Sequence, residues 1–321
     1  MSAYRVVQVR PLEPLHLGVR NLGTAEEFFT DESTAVPPPS TILGALGNAM
    51  GISLSIDCGK VKGGVYDFDD LKQLAHKLLN CSPNLGDLLS QEPCLWGPLL
   101  LIDGKYYAPM GIRAIGVDGL KAYVNASMRG QDEAKKLIDE LNKMFIQYAS
   151  INTRVGVDIG DAHVTEAMFK SSYVNYRDHD VKFIYLLKNL NLTSDIVIRL
   201  GGEGRFALIE GGNNVEPPRA GKYAVALQPI LFSSEDPTAD VGNVRGLKCV
   251  EEVYGVFDGE KFKVRVINIG LGFSEVCRFR RPILQALPQG TVVRLKDECR
   301  DALAIGLLSE LGYGSIYRVS L

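Results

Sequence analysis

Short runs of strand-forming residues, separated by glycine and proline, limit the fold of this chain more than any other feature. The 321 residues include 33 glycines and 15 prolines. Runs rich in β-branched and aromatic residues occupy residues 4–15, 181–187, 195–200, 205–210, 223–230 and 262–269. Within residues 94–109, Asp103-Gly104 predicts a tight hairpin turn, because both turn positions need positive φ. Few of these runs alternate with long helices, so a doubly wound parallel sheet fits poorly.

The predicted helices are few and lie between groups of strands. Apolar spacing predicts helices over residues 40–52, 69–80 and 132–149, and a further helix that ends at Gly312. This arrangement favours the α+β class, with tandem ferredoxin-like (RRM-like) folds, a protruding β-hairpin and inserted loops and helices. We expect an N-terminal half over residues 1–190, which includes the hairpin at about 154–176, and a C-terminal half over residues 191–321.

Charge, apolar content and cysteine spacing exclude several classes of protein. The net charge of −3 argues against a globally basic, non-specific nucleic-acid binder but leaves room for a local basic groove. No apolar run approaches the ~20 residues that span a bilayer, so we expect a soluble, cytoplasmic protein with no membrane partner. The six cysteines show neither C-x-x-C nor zinc-site spacing, which predicts free thiols in a reducing cytosol. No metal or other cofactor is expected.

Enzyme motifs are absent or incomplete. There is no P-loop, and the glycine-rich segments at residues 201–206 and 270–272 lack the residues and the helix of a nucleotide site. His16, in a loop near the N-terminus, could serve as the general acid/base of a metal-independent ribonuclease. A loop histidine with no catalytic role is the favoured interpretation.

Two basic regions suggest contact with a polyanion. Residues 261–281 contain Lys261, Lys263, Arg265, Arg278, Arg280 and Arg281 against Glu275, a local charge of +5. In "RFRR", Arg278 and Arg280 fall on one face of an extended segment and could contact phosphates. The same pattern would also occur on a solvent-exposed face that binds nothing. The predicted hairpin combines Arg154, His163 and Lys170 with aromatic residues, which suits single-stranded bases. Those aromatic residues could also simply pack against the core.

The segment "VPPPSTILGALGNAMG" (36–51) predicts an unusual helix. Gly44, Gly47 and Gly51 share one face with Asn48, opposite an apolar stripe, although each glycine costs a helix about 1 kcal/mol relative to alanine. Ser40 is the predicted N-cap, so the first turn would offer unpaired N–H groups to an anion. The glycine face could lie against a nucleic-acid backbone or against the protein's own sheet.

Together these stretches resemble the RAMP superfamily of CRISPR proteins. "PLEPLHLGVRN…VPPPSTILGALGNAMG" is similar to the family's first strand and its P-x-x-S/T-ϕ-ϕ-G-A-ϕ helix. Four later segments follow in the family's order, namely "TRVGVDIGDAHVTEAMFKSSYVNY", "LGGEGRFALIE", "RRPILQALPQGTVVRLK" and "LGYGSIY". The order fits best the subunit that holds the crRNA 5′ handle in type III-B (Cmr) complexes, with the type III-A subunit as the near alternative. The chain departs from the pattern at Gln289-Gly290 and at Ala167-Met168-Phe169.

The resemblance implies two ferredoxin-like folds and no catalytic role. It implies binding of the crRNA 5′ handle, and docking against the large Palm-domain subunit and the adjacent RAMP backbone subunit. With the basic regions above, the expected RNA-binding residues are Ser40, Thr41, Gly44, Asn48, Arg154, His163, Lys170, Arg278, Arg280, Arg281, Gly312, Tyr313 and Gly314. The alternatives are an endoribonuclease that processes CRISPR precursor RNA through His16, and a structural subunit without RNA contacts.

Overall fold

The computed structural model describes residues 4–21, 31–59, 68–84, 89–129, 134–159, 165–176, 179–213, 215–233 and 244–321. Within these ranges the α-helices are α1 (Pro39–Ala49), α2 (Asp69–Leu79), α3 (Leu120–Ser127) and α4 (Ala134–Met144). Single 3₁₀ turns span Val117–Gly119, Asp297–Cys299 and Ser309–Leu311. No helix in the described ranges is long and apolar enough to cross a membrane.

Strands make up most of the remaining regular structure. In the N-terminal part they are β1 (Tyr4–Pro11), β2 (Gly18–Asn21), β3 (Asp31–Ser33), β4 (Leu89–Ser90), β5 (Leu95–Ile102), β6 (Lys105–Met110), β7 (Arg113–Gly116), β8 (Phe145–Gln147), β9 (Ser150–Ile159), β10 (Thr165–Asn175), β11 (Val181–Lys188), β12 (Ile196–Arg199) and β13 (Phe206–Gly211). In the C-terminal part they are β14 (Tyr223–Ala226), β15 (Ile230–Phe232), β16 (Val250–Phe257), β17 (Phe262–Lys263), β18 (Ile267–Gly270), β19 (Phe273–Ser274), β20 (Phe279–Arg280), β21 (Ile283–Leu287), β22 (Val292–Leu295), β23 (Ala304–Ile305) and β24 (Ile316–Val319).

The larger sheet has eight strands in the order β12-β13-β1-β11-β5-β6-β7-β8. β1 pairs antiparallel with β11, and β11 pairs antiparallel with β5, so β1 and β5 run parallel with β11 between them. Helices α1 and α2 lie in the crossover from β1 to β5. β1 is an interior strand of this sheet, because β13 pairs with one of its edges and β11 with the other. Its residues Val6–Val9 are buried. The sheet continues to Gly211, beyond the predicted boundary at residue 190.

The second sheet has five strands in the order β17-β16-β22-β14-β24. Numbered along the chain, its central strands β24-β14-β22-β16 stand in the order fourth-first-third-second, as do β13-β1-β11-β5 in the first sheet. The helices do not repeat in the same way. Residues 189–205, between β11 and β13, contain no helix, and the described residues of the C-terminal part contain only 3₁₀ turns.

Buried side chains join the two sheets. The indole Nε1 of the fully buried Trp96, on β5, donates to the Ile316 carbonyl on β24 at 3.2 Å. The hydroxyl of Tyr123, on α3, donates to the Gly290 carbonyl at 2.9 Å and accepts from the Phe257 N–H at 3.1 Å. Because a buried polar group is costly without a partner, these bonds fix the two sheets against each other.

Several predictions about local structure are confirmed. The fold is α+β with large antiparallel sheets. β5 and β6 form the predicted hairpin, with Asp103 at φ 49° and Gly104 at φ 80°. Helix α2 spans the amphipathic segment predicted at 69–80, and its Leu71, Leu74 and Leu78 are buried.

Two predicted helices are wrong in extent or existence. The helix predicted over 132–149 ends at Met144, because residues 145–147 pair with β7 instead. The helix predicted before Gly312 does not form. Gly306 at φ 99° and Leu308 at φ 59° interrupt that segment, and β23 within it pairs with β4. Residues 302–309 are buried throughout, so their apolar sequence reflects an irregular buried segment rather than one helix face.

The prediction of free thiols is also wrong. All six cysteines form disulfides, Cys58–Cys277, Cys81–Cys94 and Cys249–Cys299. Their sequence separations of 219, 13 and 50 residues follow no motif, so only the fold brings the sulfurs together.

Candidate RNA interface

Helix α1 does not begin as its sequence suggests. Pro38, not Ser40, is the N-cap, and the N–H groups of Thr41 and Ile42 donate to the Pro38 carbonyl at 3.0 and 3.2 Å. Ser40 lies inside the first turn, and its hydroxyl is 2.8 Å from that of Tyr313 in a buried hydrogen bond. The predicted N-cap role of Ser40 is therefore wrong, and its side chain is occupied within the protein.

The proline-rich segment before α1 is held by three buried side chains. The Tyr176 hydroxyl donates to the Ala35 carbonyl at 2.7 Å, and the Tyr185 hydroxyl donates to the Pro37 carbonyl at 2.7 Å. Gln228 donates to the same Pro37 oxygen at 3.1 Å. Burial raises the pKa of Tyr185 well above its ordinary value, so it remains a donor. The start of α1 is thus fixed to the first sheet and to the C-terminal part.

The glycines of α1 have two different environments. A Cβ on Gly47 would lie 2.5 Å from a Leu74 methyl carbon, so Gly47 lets α1 and α2 pack closely. Apart from its chain neighbours and the backbone of its own helix, no described atom lies within 4 Å of the position of a Cβ on Gly44, which is exposed. Thr41, Gly44 and Asn48 lie on one side of the helix, which we call the α1 face. This face presents backbone with little side-chain cover.

The C-terminal glycine-rich loop is buried against the protein itself. Tyr313 is 1% exposed, and burial is the main cause of its raised pKa. A Cβ on Gly312 would collide with the Leu95 carbonyl oxygen, and one on Gly314 with the Ile305 carbonyl oxygen. Gly312, Tyr313 and Gly314 therefore have internal packing roles, and in this structure Tyr313 faces Ser40 rather than solvent.

Three of the basic side chains in residues 261–281 form ion pairs with aspartates. Lys263 and Arg265 lie 2.6 and 3.5 Å from the Asp258 carboxylate. The Lys263 hydrogen bond is the main reason that the pKa of Asp258 lies well below its usual range. Arg281 bonds Asp70, at the start of α2, at 2.8 Å, with both side chains largely buried. Arg281 is thus a structural residue in this fold.

The hairpin of residues 272–281, which we call the basic hairpin, presents the other arginines. Arg278 and Arg280 are exposed beside Phe273, Val276 and Phe279, each of which is 44% exposed. Arg278 lies in the turn at φ 50°, so the extended conformation expected for "RFRR" begins only at Phe279.

Two links join the basic hairpin to the region of α2. They are the Cys58–Cys277 disulfide and the Arg281–Asp70 ion pair. Since α2 packs against α1 at Gly47, α2 connects the basic hairpin to the helix that presents the α1 face.

Strands β9 and β10 form the predicted long hairpin, paired from Ser150↔Asn175 to Ile159↔Thr165. The Arg154 guanidinium lies 4.9 Å from the ring centroid of Tyr173, and Arg154 itself is exposed. Lys170 pairs with Val155 across the hairpin, but its side chain is outside the described part. His163 also lies outside the described residues.

The segment "GGEGR" supports the base of this hairpin. The Tyr173 hydroxyl donates to Glu203, and the Arg205 guanidinium lies 5.0 Å from the centroid of the Tyr173 ring. Arg205 also bonds Glu13 at 2.9 Å, which is the main cause of the lowered pKa of Glu13. These contacts give the segment a structural role.

His16 belongs to the same cluster. Its Nδ1–H donates to the Ser172 carbonyl at 2.8 Å, and its ring centroid lies 5.6 Å from that of Tyr173. Its own carbonyl accepts from the Gly202 N–H at 2.8 Å. His16 thus connects the hairpin to the glycine-rich turn.

Sequence reasoning missed the exposed Phe273 and Phe279 and the role of Asp70. Phe273 pairs with Arg280 across two short strands. The only sequence signal for this hairpin is the alternation of aromatic and basic residues in the segment. Asp70 lies 211 residues from Arg281, so no local pattern predicts their ion pair. Among the described residues, no three His, Cys, Asp or Glu side chains form a group suited to a metal ion.

Comparison with known proteins gives a match in structure but not in sequence. No protein-family model matches the chain. A search of curated proteins finds no protein with a matching sequence. A chain in the cryo-EM structure of the type III-B Cmr-beta complex bound to cognate target RNA aligns with a TM-score of 0.67 and 19% identity, covering 98% of this chain and 96% of that chain. A chain in the same complex with cognate target RNA and AMPPnP, state 1, gives the same score and identity and covers 98% and 99%. At 19% identity, these likenesses show a shared fold.

Proposed function

We propose that this chain is a non-catalytic, RNA-binding scaffold subunit of a type III CRISPR effector complex of the Cmr type. In this proposal it holds the 5′ handle of the crRNA and connects the large Palm-domain subunit to the adjacent RAMP backbone subunit. The observation that carries the proposal is the fold shared, over 98% of the chain, with a chain of an RNA-bound type III-B complex. The five motifs in family order support the same conclusion independently.

We further propose that both halves are ferredoxin-like folds that have lost helices. The shared order of four central strands, β13-β1-β11-β5 and β24-β14-β22-β16, supports this assignment. In the first half a helical crossover connects β1 to β5, as a βαββαβ unit requires. Elsewhere loops and 3₁₀ turns replace the expected helices in the described residues.

The proposed RNA contacts are the α1 face and the basic hairpin. A ribose-phosphate backbone could approach the α1 face closely, because Gly44 has no side chain and no described neighbour. Arg278 and Arg280 could bond phosphates, while the exposed Phe273 and Phe279 could stack on bases. Ser40, Arg281, Gly312, Tyr313 and Gly314 would support these contacts from within the fold.

The hairpin of β9 and β10 is the proposed thumb against the guide. Arg154 on its exposed surface could contact phosphate while its guanidinium stacks on Tyr173. The cluster of Glu13, His16, Glu203 and Arg205 would keep the hairpin in a fixed direction. We also propose a cytoplasmic location. Disulfides are rare in cytoplasmic proteins except in those of hyperthermophiles, so three disulfides agree with this location if the protein comes from such an organism.

Nuclease footprinting of a reconstituted complex tests the proposal. We expect the 5′ handle of the crRNA to be protected when this chain is present and cleaved when it is omitted. Unchanged protection without this chain would contradict the handle-binding role.

A salt titration tests the basic hairpin against a matched pair. Arg278→Ala with Arg280→Ala should reduce the slope of log K against log [salt] by about 0.7 per lost single-strand phosphate contact. The control, Lys263→Ala with Arg265→Ala, removes two basic residues that share the Asp258 carboxylate, so its slope should change less. Equal slopes for the two double variants would argue against specific contacts at the basic hairpin.

Incubation of the purified chain with precursor RNA in EDTA tests the non-catalytic assignment. We expect no cleavage, because the contacts of His16 with Ser172, Tyr173 and Gly202 give it a supporting role at the base of the hairpin. Specific cleavage that is lost in His16→Ala would favour the endoribonuclease instead.

A further inference from the structure

A basic cleft lies at one end of the second sheet, apart from every residue assigned above. It forms where β14 begins, β22 ends and β24 passes beside them, with a volume of about 310 Å³. Its lining includes five basic residues, Arg219, Lys222, Lys296, Arg300 and Arg318, and two acidic residues, Asp297 and Asp301, a net charge of +3. The whole chain has a net charge of −3, so this concentration of positive charge is local.

Arg318 is the unusual member of the cleft. It is 3% exposed, and its Nη2 donates to the Gly221 carbonyl. Its Nε and Nη1 have no hydrogen-bond partner among the described residues, although both atoms are buried. Burial lowers the pKa of Arg318, and the nearby Asp301 carboxylate partly opposes this effect without forming an ion pair. A buried guanidinium with two unpaired nitrogens is costly, so this arrangement favours a bound anion.

The remaining cations surround Arg318 at the rim. Lys222 is shared between Glu251 and Asp297, at 3.6 and 3.4 Å. Arg219, Lys296 and Arg300 have no ion pair within the described part of the chain. Three cations without an ion pair, beside a buried guanidinium, outweigh Asp301 and suit a multiply charged anion better than a single carboxylate. A guanidinium donates oriented, charge-assisted hydrogen bonds to phosphate oxygens, and Nε and Nη1 of Arg318 are the donors left for such a group.

We propose that this cleft binds a phosphate group, with Arg318 as its buried ligand and Lys296 and Arg300 at its rim. The site differs from the α1 face and the basic hairpin in position and in lining. It does not rest on the proposed function, because the purified chain should bind inorganic phosphate by itself.

Isothermal titration calorimetry with inorganic phosphate tests the site. Wild type should bind one equivalent, and Arg318→Met should weaken binding at least tenfold. Arg199→Met is the matched control, since Arg199 is exposed on β12, and it should bind as wild type does. No binding by wild type, or undiminished binding by Arg318→Met, would overturn the proposal.

Thermal unfolding separates a ligand site from a purely structural arginine. Without phosphate, Arg318→Met should melt at or above the wild-type temperature, because methionine removes an unpaired buried charge. Phosphate should raise the melting temperature of wild type only. A lower melting temperature for Arg318→Met, with no effect of phosphate on wild type, would mean that Arg318 only holds Gly221. If Arg318→Met fails to fold, Lys296→Ala with Arg300→Ala must weaken phosphate binding severalfold, and unchanged binding would overturn the site.

The source of the phosphate can be determined with the same variants. If an RNA backbone supplies it, Arg318→Met should lower the salt slope of RNA binding by about 0.7. If a free phosphate or nucleotide supplies it, that slope should stay the same while AMP competes with inorganic phosphate for the cleft.

Discussion

Two glycine-bearing regions of this chain resemble each other in sequence and differ in the structure. In the C-terminal loop, Gly312 and Gly314 let the chain approach its own backbone at Leu95 and Ile305. On α1, the Cβ position of Gly44 faces no described atom outside its own helix, although Gly47, one turn later, packs against Leu74. A glycine in a sequence therefore indicates that another group can approach the backbone closely, but it does not identify that group. Gly44 lies inside a helix, where glycine is costly and no positive φ requires it, so an external partner is the explanation that we propose for this position.

Gly314→Ala should have the largest effect on stability. Gly314 has φ 61°, and a Cβ there would collide with the Ile305 carbonyl oxygen. We expect the free energy of unfolding to fall by about 3 kcal/mol or more, measured by urea denaturation. Gly204→Ala is the control, since Gly204 has a similar φ of 66° and no described atom within 4 Å of the Cβ position. Its loss should be only about 1 kcal/mol. Equal losses would mean that the loop is not tightly packed.

Gly47→Leu should disturb the packing of α1 against α2. The new side chain would overlap Leu74, and overpacking a core typically costs about 1–3 kcal/mol. Urea denaturation should show this loss, and RNA affinity per folded molecule should be nearly unchanged. Loss of RNA affinity with unchanged stability would contradict the assignment of Gly47 to packing.

Gly44→Leu should have opposite effects on stability and on binding. Because Gly44 is exposed in a helix, leucine should raise the free energy of unfolding by about 0.5–1 kcal/mol. RNA affinity in the assembled complex should fall about tenfold, which is about 1.4 kcal/mol. Gly211→Leu is the matched control, since Gly211 is also exposed with open space at its Cβ position, and it should leave affinity unchanged. Greater stability with wild-type affinity would remove the argument for an RNA contact at the α1 face.

Tyr313→Phe should have the smallest effect. It removes the hydroxyl that bonds Ser40, while the ring stays packed, so we expect a loss of about 1 kcal/mol in stability. RNA affinity should not change. A large fall in affinity with folding intact would instead mean that the Tyr313 hydroxyl reaches the RNA.

The parts of the fold that were predicted correctly depend on local sequence. Asp103-Gly104 predicts its hairpin from backbone conformation alone, and α2 follows from the spacing of its leucines. Residues 302–309 could not be predicted in this way, because side chains buried on all sides carry no helical or strand period. The outcome there depended on Leu308 adopting positive φ, which only the tertiary structure imposes.

The candidate site was predictable as a set of segments but not as pairs of atoms. The sequence identified the glycine helix and the basic stretch correctly as separate features. It could not show that Asp70 neutralises Arg281, or that Tyr313 covers Ser40, since these partners lie 211 and 273 residues apart. The same limit applies to the cysteines, whose pairing depends on the fold.

Photocrosslinking from 4-thiouridine in the 5′ handle of the crRNA tests the central claim most directly. In the reconstituted complex, mass spectrometry should place the crosslinks of this chain within residues 39–50 or 272–281. Residues 312–315 should carry none, because they are buried. Crosslinks confined to other subunits, or to residues 312–315 of this one, would contradict the account.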